Sequence, residues 1–355
     1  MKNMPSHKGY PYLITKSLDP ENQESPIHFL PQQYIPSYYF FRRNHFSYPV
    51  LGPQSYTLPI TGEVINPYTF TYNELFCLDR KTLTVVLECA GNKRSKFDPR
   101  VYGEQWEEGA ISQGQWQGVS LSTLLSYTGL SKQAKEVVFE GWDVGEKTGT
   151  GEVVSYQRSL SLAKALHPDT IIAYAYNGKT IPYKHGFPFR LIVPEWYAMA
   201  SVKWLKNITV IDHSFEGPFQ TDDYVYYPNE GEMKPFPVTT INVNSTIQYP
   251  LNYTIIKNGV HRVHGIAWTG KGEITNVQIS FDEGNTWQEA LIETDPTHRY
   301  TWCKWSIDWR VQQEGEYTIQ SRAIDSKGRL QPQEPHWNKK GYGYNAVAKI
   351  HVKVE

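Results

Sequence analysis

The stretch L-T-V-V-L-E-C-A-G-N-K-R-S-K, residues 83–96, decides how the rest of this chain is read. Residues 82–87 are β-branched and apolar with no turn residue, the pattern of a strand buried on both faces, and the run stops at Glu88-Cys89-Ala90-Gly91. A thiol is therefore set at the end of a rigid strand. Gly91 and Asn92 tolerate the positive φ of a tight turn, and Lys93, Arg94 and Lys96 bring three cations within a few residues of the sulfur. Neighbouring cations favour the thiolate, the form that attacks an electrophile or binds a soft metal. Spacing alone also allows a buried cysteine that caps a core strand beside a solvated basic turn.

Outward from that stretch, 355 residues are too many for one ordinary core and predict two or three domains. Aromatic content of 14%, with 23 Pro and 26 Gly, favours a fold rich in strands and loops over a helix bundle. A formal net charge of -1 excludes a general polyanion-binding surface, so nucleic acid is not an expected partner and a basic cluster has to be a local anion pocket. Cys77, Cys89 and Cys303 lie far apart with no C-x-x-C unit, which is neither a disulfide framework nor a zinc knuckle. The opening M-K-N-M-P-S-H-K-G-Y-P-Y has no apolar signal core, and no run of 18 apolar residues occurs. The expectation is a cytoplasmic protein with no membrane partner, or the processed form of an exported one.

Residues 1–36 are polar and proline-punctuated and read as an arm that drapes over a domain. Next comes Tyr38-Tyr-Phe-Phe-Arg-Arg-Asn-His45, four aromatics that anchor a segment presenting two arginines, an amide and an imidazole. Thr71-Tyr-Asn-Glu74 is a capping-box pattern, so a short helix precedes the central strand. Residues 100–118 carry Trp106, Trp116 and four glycines and read as a loop that either walls a pocket or covers a core. Residues 120–129 read as a helix stopped by glycine, 137–139 as a strand leading to Asp143, and 171–176 as another strand. His185 and Arg190 flank a Gly-Phe-Pro turn, and Lys203 opens the strand that runs to Val210. Each of these cations alone suits a solvent-facing strand end, whereas all three on one rim form a phosphate cradle. Residues 213–237 have connector composition. From 238 onward seven short strands at intervals of about ten residues predict an immunoglobulin-like β-sandwich, with Cys303 as a core thiol.

Eight of these pieces, in one order, resemble the sulfite oxidase family: F-F-R-R-N-H (40–45), E-C-A-G-N-K-R (88–94), G-E-Q-W (103–106), F-E-G-W-D (139–143), A-Y-x-x-N-G-K-x-I-P (173–182), H-G-F-P-F-R (185–190), V-K-W-L (202–205) and D-Y (223–224). The resemblance implies an N-terminal arm (1–36), an α+β molybdopterin-binding oxidoreductase domain (37–237) and an all-β immunoglobulin-like dimerisation domain (238–355). It implies that Cys89 is the thiolate ligand of molybdenum in a molybdenum-molybdopterin cofactor. His185, Arg190 and Lys203 then clamp the cofactor's phosphate, while Phe41, Arg42, Arg43, Asn44, His45, Asp143, Ser201 and Val202 contact the cofactor. Arg43 and Arg94 match the oxyanion-binding arginines, Trp106 the pocket wall, and Tyr224 the tyrosine beside the reacting oxygen.

The implied activity is oxidation of sulfite to sulfate by oxygen-atom transfer, with reduction of nitrate or an S-oxide as the alternative. With no haem-attachment C-x-x-C-H in the chain, electrons go to an external cytochrome, another carrier or dioxygen. A homodimer is also implied. Lys93 stands where many relatives have arginine, and an arginine expected from the second domain after Trp268 corresponds to Glu273, with Lys271 close by.

Overall fold

The computed structural model describes residues 12–30, 32–147, 149–227, 234–295 and 297–355. Residues 1–11, read above for a targeting signal, lie outside the described residues, as does the middle of the connector at 228–233. No helix among the described residues is long and apolar enough to cross a membrane.

The central strand runs Arg80–Glu88, and its last four residues are all buried. Both faces are covered, as the apolar run requires. Val85 and Leu87 pack with Phe40, Trp106 and Trp116 on one side, while Val86 joins the main core with Val119, Ile172 and Trp302 on the other. The strand pairs antiparallel with Ile111–Ser120, from Arg80 opposite Val119 to Glu88 opposite Ile111. The sheet continues through Ile171–Tyr176, against whose far edge Arg190–Ile192 pairs.

The expected loop at 100–118 is thus strand from Ile111 onward. Its glycines mark close approach instead of a turn: a Cβ on Gly118 would lie 2.1 Å from the Ile172 carbonyl oxygen, and one on Gly114 would lie 2.2 Å from the Tyr176 ring. Trp106 and Trp116 are fully buried, so this segment covers a core.

A second five-stranded sheet has the order Tyr68–Thr71, Thr57–Gly62, Leu205–Ile211, Glu136–Glu146, Val153–Ser161. Its Leu58, Ile60, Val137, Phe139 and Ile208 share one core with the first sheet. The capping box forms as the pattern predicts, with the Thr71 hydroxyl accepting from the Glu74 N–H and the Glu74 carboxylate closing back on Thr71. Helix Leu121–Thr128 ends at Gly129, whose φ of 67° lies in the left-handed region that glycine tolerates best.

The C-terminal part is a two-sheet sandwich. One sheet has the order Asn244–Tyr249, Gly259–Trp268, Cys303–Val311, Leu291–Glu293. The other has the order Thr254–Ile256, Ala348–Val354, Gly315–Asp325, Ile274–Ser280, Gln288–Glu289. Ala348–Val354 alternates buried and exposed without a break, the mark of a strand with one face on the core. Cys303 lies in that core, and burial pushes its thiol up to about 12. The apolar positions Ile241 and Val243, which open the sandwich in sequence, form no strand; the Ile241 N–H bonds the Glu195 carbonyl of the first module at 2.9 Å.

The arm is more than a drape. Ile14–Leu18 and Glu21–Glu24 form a hairpin. The Asn22 side chain accepts from the Asn44 N–H at 2.7 Å, and the Ile35 carbonyl accepts from Asn177 Nδ2 at 3.0 Å.

The joint between the two modules is polar and gathers around the end of the central strand. Lys93 Nζ donates to Asn244 Oδ1 and the Ser245 carbonyl, both at 2.7 Å. Trp268 Nε1 donates to Glu88 Oε2 at 2.8 Å, and Thr246 Oγ1 donates to Glu108 Oε2 at 2.5 Å. The Gly343 N–H donates to the Ala90 carbonyl at 2.8 Å.

Candidate active site

Cys89 follows the last residue of the central strand, tied by its N–H to the Ala110 carbonyl at 2.9 Å. The turn after it closes through the Asn92 N–H to the Cys89 carbonyl at 2.9 Å. Its left-handed residue is Lys93, with φ 63°, and not the expected Gly91 or Asn92. The sandwich holds the Lys93 ammonium on the far side of the turn, which sustains that conformation. Gly91 is needed for another reason: a Cβ there would lie 2.6 Å from the folded-back Arg94 guanidinium.

The three expected cations therefore part company. Lys93 serves the joint, Lys96 pairs with Glu108, and only Arg94 acts on the sulfur, together with Arg43 from the arm side. Burial of Cys89 outweighs both and pushes the thiol up, against the expected thiolate-favouring balance.

Cys89 opens onto a cleft of about 60 Å³. The same cleft is lined by Phe41, Arg42, Arg43, Asn44 and His45, by Asp143, by His185 and Arg190, by Ser201, Val202 and Lys203, and by Tyr224. Six segments, counting that of Cys89, are thus brought together. Tyr156, Lys184, Ala198 and Met199 also line it, and no sequence pattern pointed to them, although Lys184 directly precedes the H-G-F-P-F-R piece.

The cleft is cationic and short of counter-charge. None of Arg43, Arg190 and Lys203 makes an ion pair with a carboxylate among the described residues. His185 Nε2 bonds the Ser37 carbonyl at 2.7 Å; burial, and then Arg190, drive its pKa down to about 3, so the ring is neutral. Burial draws Arg190 down to about 9. Its guanidinium lies 5.0 Å over Trp116 and donates to the His185 carbonyl at 3.0 Å, while its Nε has no partner. Lys203 donates to the Arg43 carbonyl at 3.0 Å and to Asn44 Oδ1. Burial and then the Arg190 charge pull Lys203 well down. Asp143 is pushed up by burial, and its Oδ1 has no hydrogen-bond partner. Unpaired donors and one unpaired acceptor around a buried cationic cleft fit an anionic ligand with N–H groups of its own.

At the other end of the cleft the Tyr224 hydroxyl lies 2.8 Å from His45 Nε2. The segment read as a connector therefore delivers a buried tyrosine to the site. Arg158, fully buried on the strand Val153–Ser161, sits 5.7 Å from the Tyr224 ring. Two expected site residues do not line the cleft. Arg94 is turned aside, donating from Nε to the Gly341 carbonyl at 3.2 Å and from Nη1 to the Glu104 carbonyl at 3.0 Å. Trp106 is fully buried in one cluster with Phe40, Phe41 and Cys89. Glu273 is exposed and bonds Ser326, away from the cleft. The sandwich segment that reaches the site is instead residues 337–344, where Tyr342 stacks on Tyr224.

Residues 45–219 match the oxidoreductase molybdopterin binding domain, and residues 236–355 match the Mo-co oxidoreductase dimerisation domain. The sulfite oxidase of Arabidopsis thaliana is 30% identical to this chain, over 94% of this chain and 91% of that protein. The chain belongs to the sulfite oxidase family. It is also 33% identical to the mitochondrial sulfite oxidase of Rattus norvegicus over 97% of this chain, and spans 66% of that relative's length. A crystal structure of the sulfane dehydrogenase SoxCD from Paracoccus pantotrophus aligns with a TM-score of 0.82 at 27% identity, covering 98% of this chain and 90% of that one. In this member of the sulfite oxidase family, Tyr224 falls in the interval between the two domain matches.

Proposed function

We propose that this family member is a molybdenum-molybdopterin oxidoreductase that oxidises sulfite to sulfate, passes the electrons to an external acceptor, and works as a homodimer. The observation that carries the reading is the coincidence, in one cleft, of a soft thiol at a strand end with buried cations that lack a counter-ion. Among the described residues no three His, Cys, Asp or Glu side chains converge as a metal cage, so a metal on Cys89 takes its other donors from the cofactor. The cofactor, when bound, supplies two-electron oxygen-atom transfer.

The chain's own residues have separable tasks. Cys89 holds the metal. His185, Arg190 and Lys203 bind the phosphate, which relieves the crowding of like charge between Arg190 and Lys203. Asp143 accepts hydrogen bonds from ring N–H groups through its unpaired oxygen. Phe41, Arg42, Asn44, His45, Ser201 and Val202 form the walls around the pterin. Arg43 and Arg94 hold the oxygens of a small oxyanion by planar forks that suit its geometry. The Tyr224 hydroxyl, backed by His45, orients a proton toward the substrate or product oxygen.

The test is expression in a host that makes molybdopterin, followed by metal analysis and sulfite-dependent reduction of cytochrome c, ferricyanide and dioxygen on one preparation. Turnover with at least one acceptor is expected. Molybdenum-replete protein that reduces none of them would refute the sulfite assignment, and reductant-driven turnover of nitrate would reverse the direction.

A further inference from the structure

The sandwich reaches the site through one tightly tied segment, residues 337–344. Trp337 Nε1 donates to the Pro99 carbonyl at 2.9 Å. Asn338 grips the backbone of Tyr342 from both ends, its Oδ1 accepting from the Tyr342 N–H at 3.0 Å and its Nδ2 donating to the Tyr342 carbonyl at 2.7 Å. The Gly343 N–H is bound to the carbonyl of Ala90, the residue after the cleft thiol, at 2.8 Å. The backbone carrying Tyr342 is therefore held on three sides.

The ring of Tyr342 is shared by two groups of the oxyanion pocket. It stacks on Tyr224 with centroids 5.0 Å apart and planes at 26°. The Arg94 guanidinium lies 5.0 Å from the same ring. A Cβ on the preceding Gly341 would lie 3.0 Å from Arg94 Nε, so glycine there lets the guanidinium settle against the segment. An arginine with four rotatable bonds loses much freedom when it binds an anion, and a fixed aromatic face removes part of that loss beforehand.

We propose that Tyr342 is a positioning residue of the oxyanion site, its ring fixing the Arg94 guanidinium and the Tyr224 phenol relative to each other, so that the sandwich sets oxyanion affinity. This rests on the functional reading above and adds the second module to it. The residue acts through Arg94 and Tyr224, so its loss moves binding before it moves chemistry.

The test compares the molybdenum-loaded wild type with Tyr342→Leu, Tyr342→Phe and Asn338→Ala. It measures sulfate dissociation by calorimetry, KM and kcat for sulfite, molybdenum content and the melting temperature. Tyr342→Leu should raise the sulfate Kd and the sulfite KM together by about tenfold while kcat changes less, and Tyr342→Phe, which keeps the π face, should restore both to within about twofold. Asn338→Ala, which frees the backbone without touching the ring, should weaken sulfate in the same direction and covers the case in which Tyr342→Leu does not fold. Wild-type affinity in Tyr342→Leu, or in Asn338→Ala where Tyr342→Leu is not folded, overturns the proposal, as does a Phe variant as weak as the Leu variant. A molybdenum-replete wild type that binds neither sulfate nor sulfite removes the functional reading and this proposal with it. Wild-type binding left intact by the substitutions removes only the proposal.

Discussion

Cys89 as a residue is 6% exposed, and it lines the cleft. The side chain contributes little to the fold, because its link to Ala110 is made by the backbone. Cys89→Ser should therefore shift stability by less than about 1 kcal/mol while exchanging a soft ligand for a hard one. The expected outcome is a melting curve close to wild type with molybdenum content down to about a tenth or less, read by thermal denaturation and metal analysis on the same sample. Full metal retention would remove Cys89 as the ligand. At this scale the sequence showed which side chains could do chemistry, since softness, charge and fork geometry belong to the residue type. It did not show how they would be biased: Cys89 and Asp143 are pushed up and Arg190 is pulled down because burial outweighs nearby charge.

Among elements, the strand Arg80–Glu88 shows what an apolar run can and cannot predict. Its burial on both faces follows from the run itself, but the partners differ on the two sides. Leu87, fully buried beside the cysteine strand end, should cost about 3 kcal/mol when cut to Ala, whereas Val144, 48% exposed on Glu136–Glu146, should cost less than about 0.5 kcal/mol. Urea unfolding of the two variants measures the contrast, and equal costs would contradict the two-faced packing. The strand Ile111–Ser120 differs from the expected loop because its glycines resemble turn residues in sequence, and their need for close strand contact is invisible until the neighbours are in place. The edge strands Gln288–Glu289 and Leu291–Glu293 went unseen because they are short and mostly exposed.

For the whole molecule, the joint is as much part of the site as the cleft. Glu108 lies there between Lys96, Lys93 and Thr246. Burial alone would raise its pKa, but the charges of Lys96 and Lys93 win and carry it from 4.5 down to about 2. A carboxylate depressed in the folded state stabilises above its unfolded pKa, and the benefit is lost as pH falls through the folded value. Glu108→Gln should accordingly cost about 2 kcal/mol at pH 7, discounted for partial exposure, and the gap to wild type should narrow to about half or less by pH 3. Denaturant unfolding of both proteins at the two pH values checks this, and a gap independent of pH would show that the charge is not what stabilises the joint.

The sequence by itself determined the two-part architecture, the strand that ends in a thiol and the residue types able to hold a phosphate and an oxyanion, because periodicity, turn chemistry and side-chain functionality are local properties. Only the tertiary structure decided that Lys93 belongs to the joint, that Trp106 is buried in one cluster with Cys89, that Glu273 stays outside, and that Tyr342 enters from the sandwich. Those outcomes depend on which distant segment occupies the space beside each side chain. That space is allotted by the docking of two sheets and a sandwich around one strand end, and no window of sequence contains it.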